Sequence, residues 1–123
     1  MESDHSDFAY AQWAAFQKVN SVFAEVVCGI YRPGDIVWVQ DFHLMLLPAM
    51  LRKRVPEMRI GWFLHIPFPS SETFRNLPQR RELLAGVLGA DLLGFHIYDY
   101  TRHFMSSCTR MLGTPTHRST DVE

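Results

Sequence analysis

Three short apolar runs, each followed by a stretch of helical periodicity, constrain the fold of this chain more than any other feature. The runs are IVWVQD at 36–41, RIGWFLH at 59–65 and ADLLGF at 90–95. Helical stretches are predicted at 8–30, 42–55, 77–89 and 98–113. Strands that alternate with helices form parallel sheets through right-handed crossovers. The sequence therefore predicts an α/β fold with a three-stranded parallel sheet, too narrow for an ordinary complete domain.

The helical stretches carry their own boundary signals. In the first, the apolar residues recur at steps of three and four, which predicts one buried face (Phe16, Val19, Phe23, Val26 and Ile30). Pro48 must lie in the first turn of its helix or kink it, because proline lacks the donor that an interior turn requires. Gly113 marks the end of the last helix. The second apolar run is nearly continuous, as expected of a strand covered on both faces.

Composition narrows the class of protein. With 47% hydrophobic and 20% charged residues, the 123-residue chain belongs to the globular class. A net charge of −1 argues against a nucleic-acid-binding protein held by a basic surface. The acidic start MESDHSD does not resemble a secretion signal, and no apolar stretch is long enough for a membrane span. We expect a cytoplasmic protein, with Cys28 and Cys108 as buried thiols, although a disulfide between them stays open.

The strand ends are the expected place for chemistry. In an open parallel sheet, ligands bind in the crevice beyond the carboxyl ends of the strands. Asp41 follows the first run directly, His65 ends the second, and His96 follows the third. Each has a simpler interpretation as well: Asp41 as the N-cap of the next helix, and His65 as a hydrogen-bonded packing residue. The spacing of the histidines and cysteines does not predict a metal site.

A proline-rich loop follows His65. Pro67 and Pro69 fix two φ angles and favour extended conformations at the residues before them, Ile66 and Phe68. The loop therefore loses freedom before any ligand arrives, so less ordering is left to occur on binding.

Three segments together resemble one family. WVQDFHLMLLP, FLHIPFPSSE and DLLGFHIYDYTRHF are similar to the trehalose-6-phosphate synthases, which are retaining glycosyltransferases. The resemblance covers about residues 13–113. Many members have His where this chain has Gln40, and Tyr where it has Phe42; both positions flank Asp41.

The resemblance implies a fold and a reaction. It implies a Rossmann-like N-terminal domain of a GT-B enzyme, of which residues 8–113 are a part, with 1–7 and 114–123 expected as disordered tails. It implies glucose transfer from UDP-glucose to glucose 6-phosphate without a metal or other cofactor. Asp41 matches the residue that hydrogen-bonds the acceptor, His65 the one that reaches the transferred glucose, and Ile66 a position that shapes anomer selectivity.

Several alternatives stay open beside that interpretation. The parent could be a sibling glycosyltransferase with another phosphorylated acceptor, such as glycerol 3-phosphate, or a non-catalytic regulatory homologue. A homo-oligomer or a trehalose synthase complex is a possible assembly. The glycine-rich loop, the donor Arg/Lys pair and the basic clamp for the sugar phosphate, all expected in the family, lie outside these residues. We therefore expect the 123-residue chain alone to be inactive.

Overall fold

The computed structural model describes residues 2–114, with side chains from residue 9 onward. Five helices, one 3₁₀ turn and three strands make up this part of the chain. In chain order they are α1 (Glu2–Ile30), β1 (Ile36–Gln40), the 3₁₀ turn (Phe42–Leu44), α2 (Leu47–Arg54), β2 (Arg59–Leu64), α3 (Ser71–Phe74), α4 (Arg80–Val87), β3 (Leu92–Phe95) and α5 (Tyr98–Leu112).

The three strands form one parallel sheet, in the order β1-β2-β3. The register places Val39 beside Trp62 and Trp62 beside Leu93. Residues paired in a parallel register point to the same side of the sheet, so Val39, Trp62 and Leu93 share one face. Their neighbours along each strand point to the other face. The predicted α/β fold with a parallel sheet is confirmed.

The helices cover one face of this sheet. Val39, Ile60, Trp62 and Leu64 are each at most 3% exposed and belong to the same core as buried residues of α2, α4 and α5. On the other face Ile36 is 69% exposed, and Trp38 and Leu92 are half exposed or more. The described helices thus leave the other face of β1 and β3 uncovered, whereas β2, the run predicted to be covered on both faces, is buried or half-buried at residues 60–64.

Two glycines shape the open face. An ideal Cβ on Gly61 would lie 2.1 Å from the ring of Trp38, and one on Gly94 would lie 2.5 Å from the ring of Phe63. Each aromatic ring thus lies flat across the glycine of the next strand, where no other residue leaves enough room. The rings shield the backbone of β2 and β3 that a side chain would otherwise cover.

Helix α1 differs from its prediction at one end and in its buried face. It begins at Glu2, so residues 2–7, which were expected to form a tail, are helical in this structure. The face that packs on the protein carries Asn20 and Ala24, whereas Val19, Phe23, Val26 and Ile30 are 46–73% exposed. The expected C-terminal tail, 114–123, lies outside the described residues except for Thr114.

Helix α2 is bonded to the edge of the sheet where β2 and β3 begin, opposite the carboxyl ends of the strands. Pro48 lies in its first turn, as predicted. Arg52 donates to the carbonyls of Pro56, Met58 and Gly89 and pairs with Asp91 at 2.8 Å. The Asp91 carboxylate also accepts a hydrogen bond from the backbone N–H of Ile60 at 2.9 Å. That backbone bond, with Arg52, holds the pKa of Asp91 below its usual value.

The last helix is amphipathic and ends as predicted. Phe104, Ser107 and Cys108 are buried, and Gly113 adopts the left-handed conformation that closes a helix. Cys28 and Cys108 are both free thiols, Cys28 half-buried and Cys108 fully buried. Burial raises the pKa of the Cys108 thiol to about 11.

Candidate site at the carboxyl ends of the strands

Asp41, His65 and His96 lie at the same edge of the sheet. Each follows the end of a strand: β1 ends at Gln40, β2 at Leu64 and β3 at Phe95. The backbone N–H of Asp41 donates to the carbonyl of Phe63 at 2.8 Å, so the β1–β2 pairing continues up to the residue that carries the carboxylate. The structure therefore brings these sequence-predicted residues to one edge.

Asp41 has an unusual backbone conformation. Its φ is 69° and its ψ is 178°. It is the only non-glycine residue with a positive φ in the part of the chain that the structure describes. Residues with a side chain rarely occupy this region, which costs about 1–3 kcal/mol and tends to occur at functional sites. The strain makes Asp41 a stronger candidate than its position alone does.

The surrounding hydrogen bonds maintain that conformation. The indole Nε1 of Trp62 donates to the Asp41 carbonyl at 3.0 Å. The Asp41 side chain accepts from the backbone N–H of Phe42 at 3.2 Å, so it also caps the 3₁₀ turn. The prediction that Asp41 is the N-cap of the following helix is confirmed for the 3₁₀ turn. It leaves the second carboxylate oxygen for a ligand, because a carboxylate has about four acceptor positions.

His65 is oriented by a neighbour on β1. Its Nε2 lies 2.5 Å from Oε1 of Gln40. This hydrogen bond joins the side chains at the ends of β1 and β2 and fixes the orientation of the imidazole ring.

Aromatic contacts position the same ring. The ring centroids of His65 and His96 are 5.3 Å apart, edge to face, and the Phe63 ring lies 4.8 Å from His65 and 5.0 Å from His96. His65 remains exposed at its outer side. An exposed polar ring packed between two others suits a ligand contact, since little side-chain freedom is left to lose on binding.

The proline-rich loop is anchored by the residue between its prolines. Phe68 is 3% exposed, stacks on Phe74 at 5.0 Å and meets Phe104 edge to face at 5.4 Å. Ile66 is 45% exposed. The loop is thus fixed on the core through Phe68 while Ile66, next to His65, remains on the surface.

A cavity of about 480 Å³ lies beside this loop. Its lining includes Trp13, Phe16, Ile66 and Pro67, and its polar residues are Gln12 and Gln79. Neither Asp41 nor His65 lines it, and it contains no basic side chain. An apolar cavity without a cation is unsuited to a phosphate group, so the polar strand ends remain the better candidate site.

The described residues offer no metal centre. Within residues 2–114, no group of three His, Cys, Asp or Glu side chains is placed to hold a metal ion. None of the described helices is both long enough and apolar enough to cross a membrane.

With the site in place, comparisons with known proteins decide the family. The model of glycosyltransferase family 20 matches residues 1–123. The chain belongs to glycosyltransferase family 20. Among its relatives, the α,α-trehalose-phosphate synthase (UDP-forming) 1 of Arabidopsis thaliana is 58% identical over 103 residues, 84% of this chain and 11% of the plant protein.

Two solved structures have the same fold as this chain. A Burkholderia xenovorans α,α-trehalose-phosphate synthase (UDP-forming) in complex with glucose 6-phosphate superposes with a TM-score of 0.84 at 32% identity, covering 90% of this chain and 25% of that one. The N-terminal domain of a Candida albicans trehalose-6-phosphate phosphatase gives 0.84 at 47% identity, covering 85% and 22%. The chain thus spans a quarter or less of each of these three relatives.

Sequence reasoning missed three residues around the site. Gln40 stood out only as a departure from the family, whereas it contacts His65. Neither Trp62 nor Asn20 was singled out from the sequence. Asn20 is fully buried and donates to the carbonyls of Phe16 and His43. These roles arise from contacts between distant elements, for which the sequence carries no periodic signal.

Proposed function

We propose that the protein containing this chain transfers glucose from UDP-glucose to glucose 6-phosphate with retention, giving α,α-trehalose 6-phosphate and UDP. This chain would form part of the N-terminal, acceptor-binding half of the enzyme. The observation that carries the proposal is the strained Asp41 beside His65 at the carboxyl edge of a family 20 sheet. The Burkholderia relative in complex with glucose 6-phosphate supports the choice of acceptor.

Each site residue has a proposed role. The Asp41 carboxylate accepts a hydrogen bond from a hydroxyl of the acceptor sugar, and such charge-assisted bonds are short and strong. His65 contacts the glucosyl group that is transferred. Ile66, exposed on the anchored loop beside His65, shapes the space around the reacting carbon and thereby the anomeric outcome.

The proposed transfer needs positioning more than covalent chemistry. The acceptor hydroxyl oxygen forms a bond to the anomeric carbon on the face from which UDP departs, the bond to the UDP oxygen breaks, and the UDP phosphate takes the hydroxyl proton. Positive charge develops on the sugar ring, so fixed polar groups lower the barrier if they are already aligned. The Gln40–His65 hydrogen bond and the Phe68 anchor provide such alignment on this side of the cleft. We propose that no metal or other cofactor takes part, and unchanged turnover after treatment with EDTA would support this.

A second candidate has one observation in its favour. The Candida relative is the N-terminal domain of a trehalose-6-phosphate phosphatase, so a domain similar to this chain also occurs in a protein named for a different activity. A regulatory homologue of that kind would bind sugar phosphate without turnover.

The test is a synthase assay on the full-length protein. UDP release coupled to trehalose 6-phosphate formation is expected with glucose 6-phosphate, and not with glycerol 3-phosphate. Binding of glucose 6-phosphate without UDP release would favour the regulatory homologue. The 123-residue chain alone serves as the negative control, because it spans a quarter or less of the three relatives compared above.

A further inference from the structure

Asp41 adopts a conformation that its own residue type disfavours, so something outside it must hold it there. The contacts that could do so come from two successive residues of β2. Phe63 accepts from the Asp41 N–H at 2.8 Å, and Trp62 donates to the Asp41 carbonyl at 3.0 Å. The first bond belongs to the ladder between strands, whereas the second is made by a side chain.

The Trp62 side chain is rigidly placed for this contact. It is 0% exposed, among the largest fully buried side chains of the described residues, and it meets Phe95 edge to face at 6.0 Å. A buried indole N–H normally has a partner, because leaving it unpaired is costly. Its partner here is the carbonyl of the strained residue.

The far end of the turn is held independently. The buried amide of Asn20 donates to the carbonyl of His43 at 3.0 Å and so ties the 3₁₀ turn to α1. The backbone N–H of Leu44 reaches the Asp41 carbonyl only at 3.4 Å. The chain is thus held before Asp41 by the bond to Phe63 and after it by the bond to the His43 carbonyl. Of the two donors that reach the Asp41 carbonyl, the Trp62 indole is the nearer, so it sets the direction of that carbonyl.

We propose that Trp62 is a positioning residue for acceptor binding: its indole N–H holds Asp41 in the positive-φ conformation that presents the carboxylate at the strand ends. The inference rests on the proposed function, in which Asp41 binds the acceptor sugar. The backbone N–H of Asp41 stays bonded to Phe63, so the loss of the indole bond leaves rotation about the Asp41 N–Cα bond unopposed. The φ angle then returns to a negative value, and the carboxylate moves away from its binding position.

The test uses the full-length protein with two variants at this position. Trp62→Phe keeps an aromatic ring and removes the donor. Site-specific replacement by β-(3-benzothienyl)alanine keeps the shape of the indole and substitutes sulfur for N–H. Both are expected to weaken glucose 6-phosphate binding by roughly threefold to tenfold, the range for one lost hydrogen bond, while UDP-glucose binding is unchanged. Crystal structures of both variants should show Asp41 at negative φ.

A matched control separates positioning from general loss of stability. Val87→Ala removes buried methyl groups from α4, and Val87 makes none of the hydrogen bonds that hold Asp41. It should lower the unfolding midpoint and leave acceptor affinity unchanged.

Two results would contradict the inference, and only the second would also contradict the proposed function. The first is that both Trp62 variants keep the wild-type acceptor affinity and the positive φ of Asp41, while Asp41→Asn binds the acceptor more weakly. That result would overturn the role of Trp62 and leave the proposed function standing. Unchanged acceptor affinity in Asp41→Asn would overturn the proposed function and the inference with it.

Discussion

Replacing Asp41 by glycine is expected to give a more stable protein than replacing it by alanine. At ordinary positions the order is reversed, since glycine loses about 0.5–1 kcal/mol to alanine through the entropy of the unfolded chain. At Asp41, with φ of 69° and ψ of 178°, alanine retains the strain and glycine does not.

The magnitude follows from these two contributions. Strain in this region costs about 1–3 kcal/mol, and subtracting a glycine entropy of about 0.5–1 kcal/mol leaves Asp41→Gly more stable than Asp41→Ala by about 1.3 kcal/mol at mid-range and by about 2.5 kcal/mol at most. The bond from the Phe42 N–H to the Asp41 carboxylate is lost in both variants, so it cancels in the comparison.

The assay is urea denaturation of the 123-residue chain, followed by circular dichroism. A stabilising osmolyte in the buffer offsets the exposed apolar face of the sheet. The control is the same pair of substitutions at Glu25, an exposed residue in the interior of α1, where glycine should be less stable than alanine by about 1 kcal/mol. An Asp41→Gly variant no more stable than Asp41→Ala would refute the claim that Asp41 is strained.

Three further predictions concern catalysis, pH and thiol chemistry. His65→Ala in the full-length protein should lower kcat more than it raises the acceptor KM, because its contact matters most as charge develops on the glucosyl group; a change in KM alone would make His65 a binding residue. The folded pKa of Asp91 is lowered, so its stabilising contribution is present above the usual carboxyl value of 3.8 and is lost as pH falls towards the folded pKa. Urea midpoints should therefore drop less in Asp91→Asn than in the wild type between about pH 6 and pH 3, and equal drops would contradict the role of the Arg52 pair. Iodoacetamide should alkylate Cys28 well before Cys108, since a thiol with a pKa of about 11 is roughly one part in a thousand thiolate at pH 8; equal rates in the folded chain would show that Cys108 is accessible.

The strand ends could be predicted from the sequence because they depend on local patterns. Apolar runs bounded by turn residues fix where Gln40, Leu64 and Phe95 end their strands, and parallel pairing then brings Asp41 and His65 to one edge. The short helix α3 was missed, although Ser70 is its N-cap and accepts from the Thr73 N–H, and serine is a preferred residue at that position.

The conformation of Asp41 could not be predicted in the same way. Its positive φ is maintained by Phe63 and Trp62, more than twenty residues away along the chain, and no local pattern encodes those two bonds. The face of α1 was misjudged for a related reason. The spacing of Val19 and Phe23 shows that these residues can share a face, but packing against α2 selected the neighbouring face with Asn20 and Ala24.

The central claim is that Asp41 binds the acceptor sugar, and calorimetric titration of the full-length Asp41→Asn variant tests it most directly. Asparagine keeps the shape of the side chain and tolerates positive φ better than most residues, while it replaces the charged carboxylate by a neutral amide with one acceptor oxygen fewer. The account predicts that glucose 6-phosphate binds about tenfold more weakly, from the loss of about 1.5 kcal/mol in a charge-assisted hydrogen bond, while UDP-glucose affinity stays the same. Equal glucose 6-phosphate affinity in the wild type and the variant would contradict it.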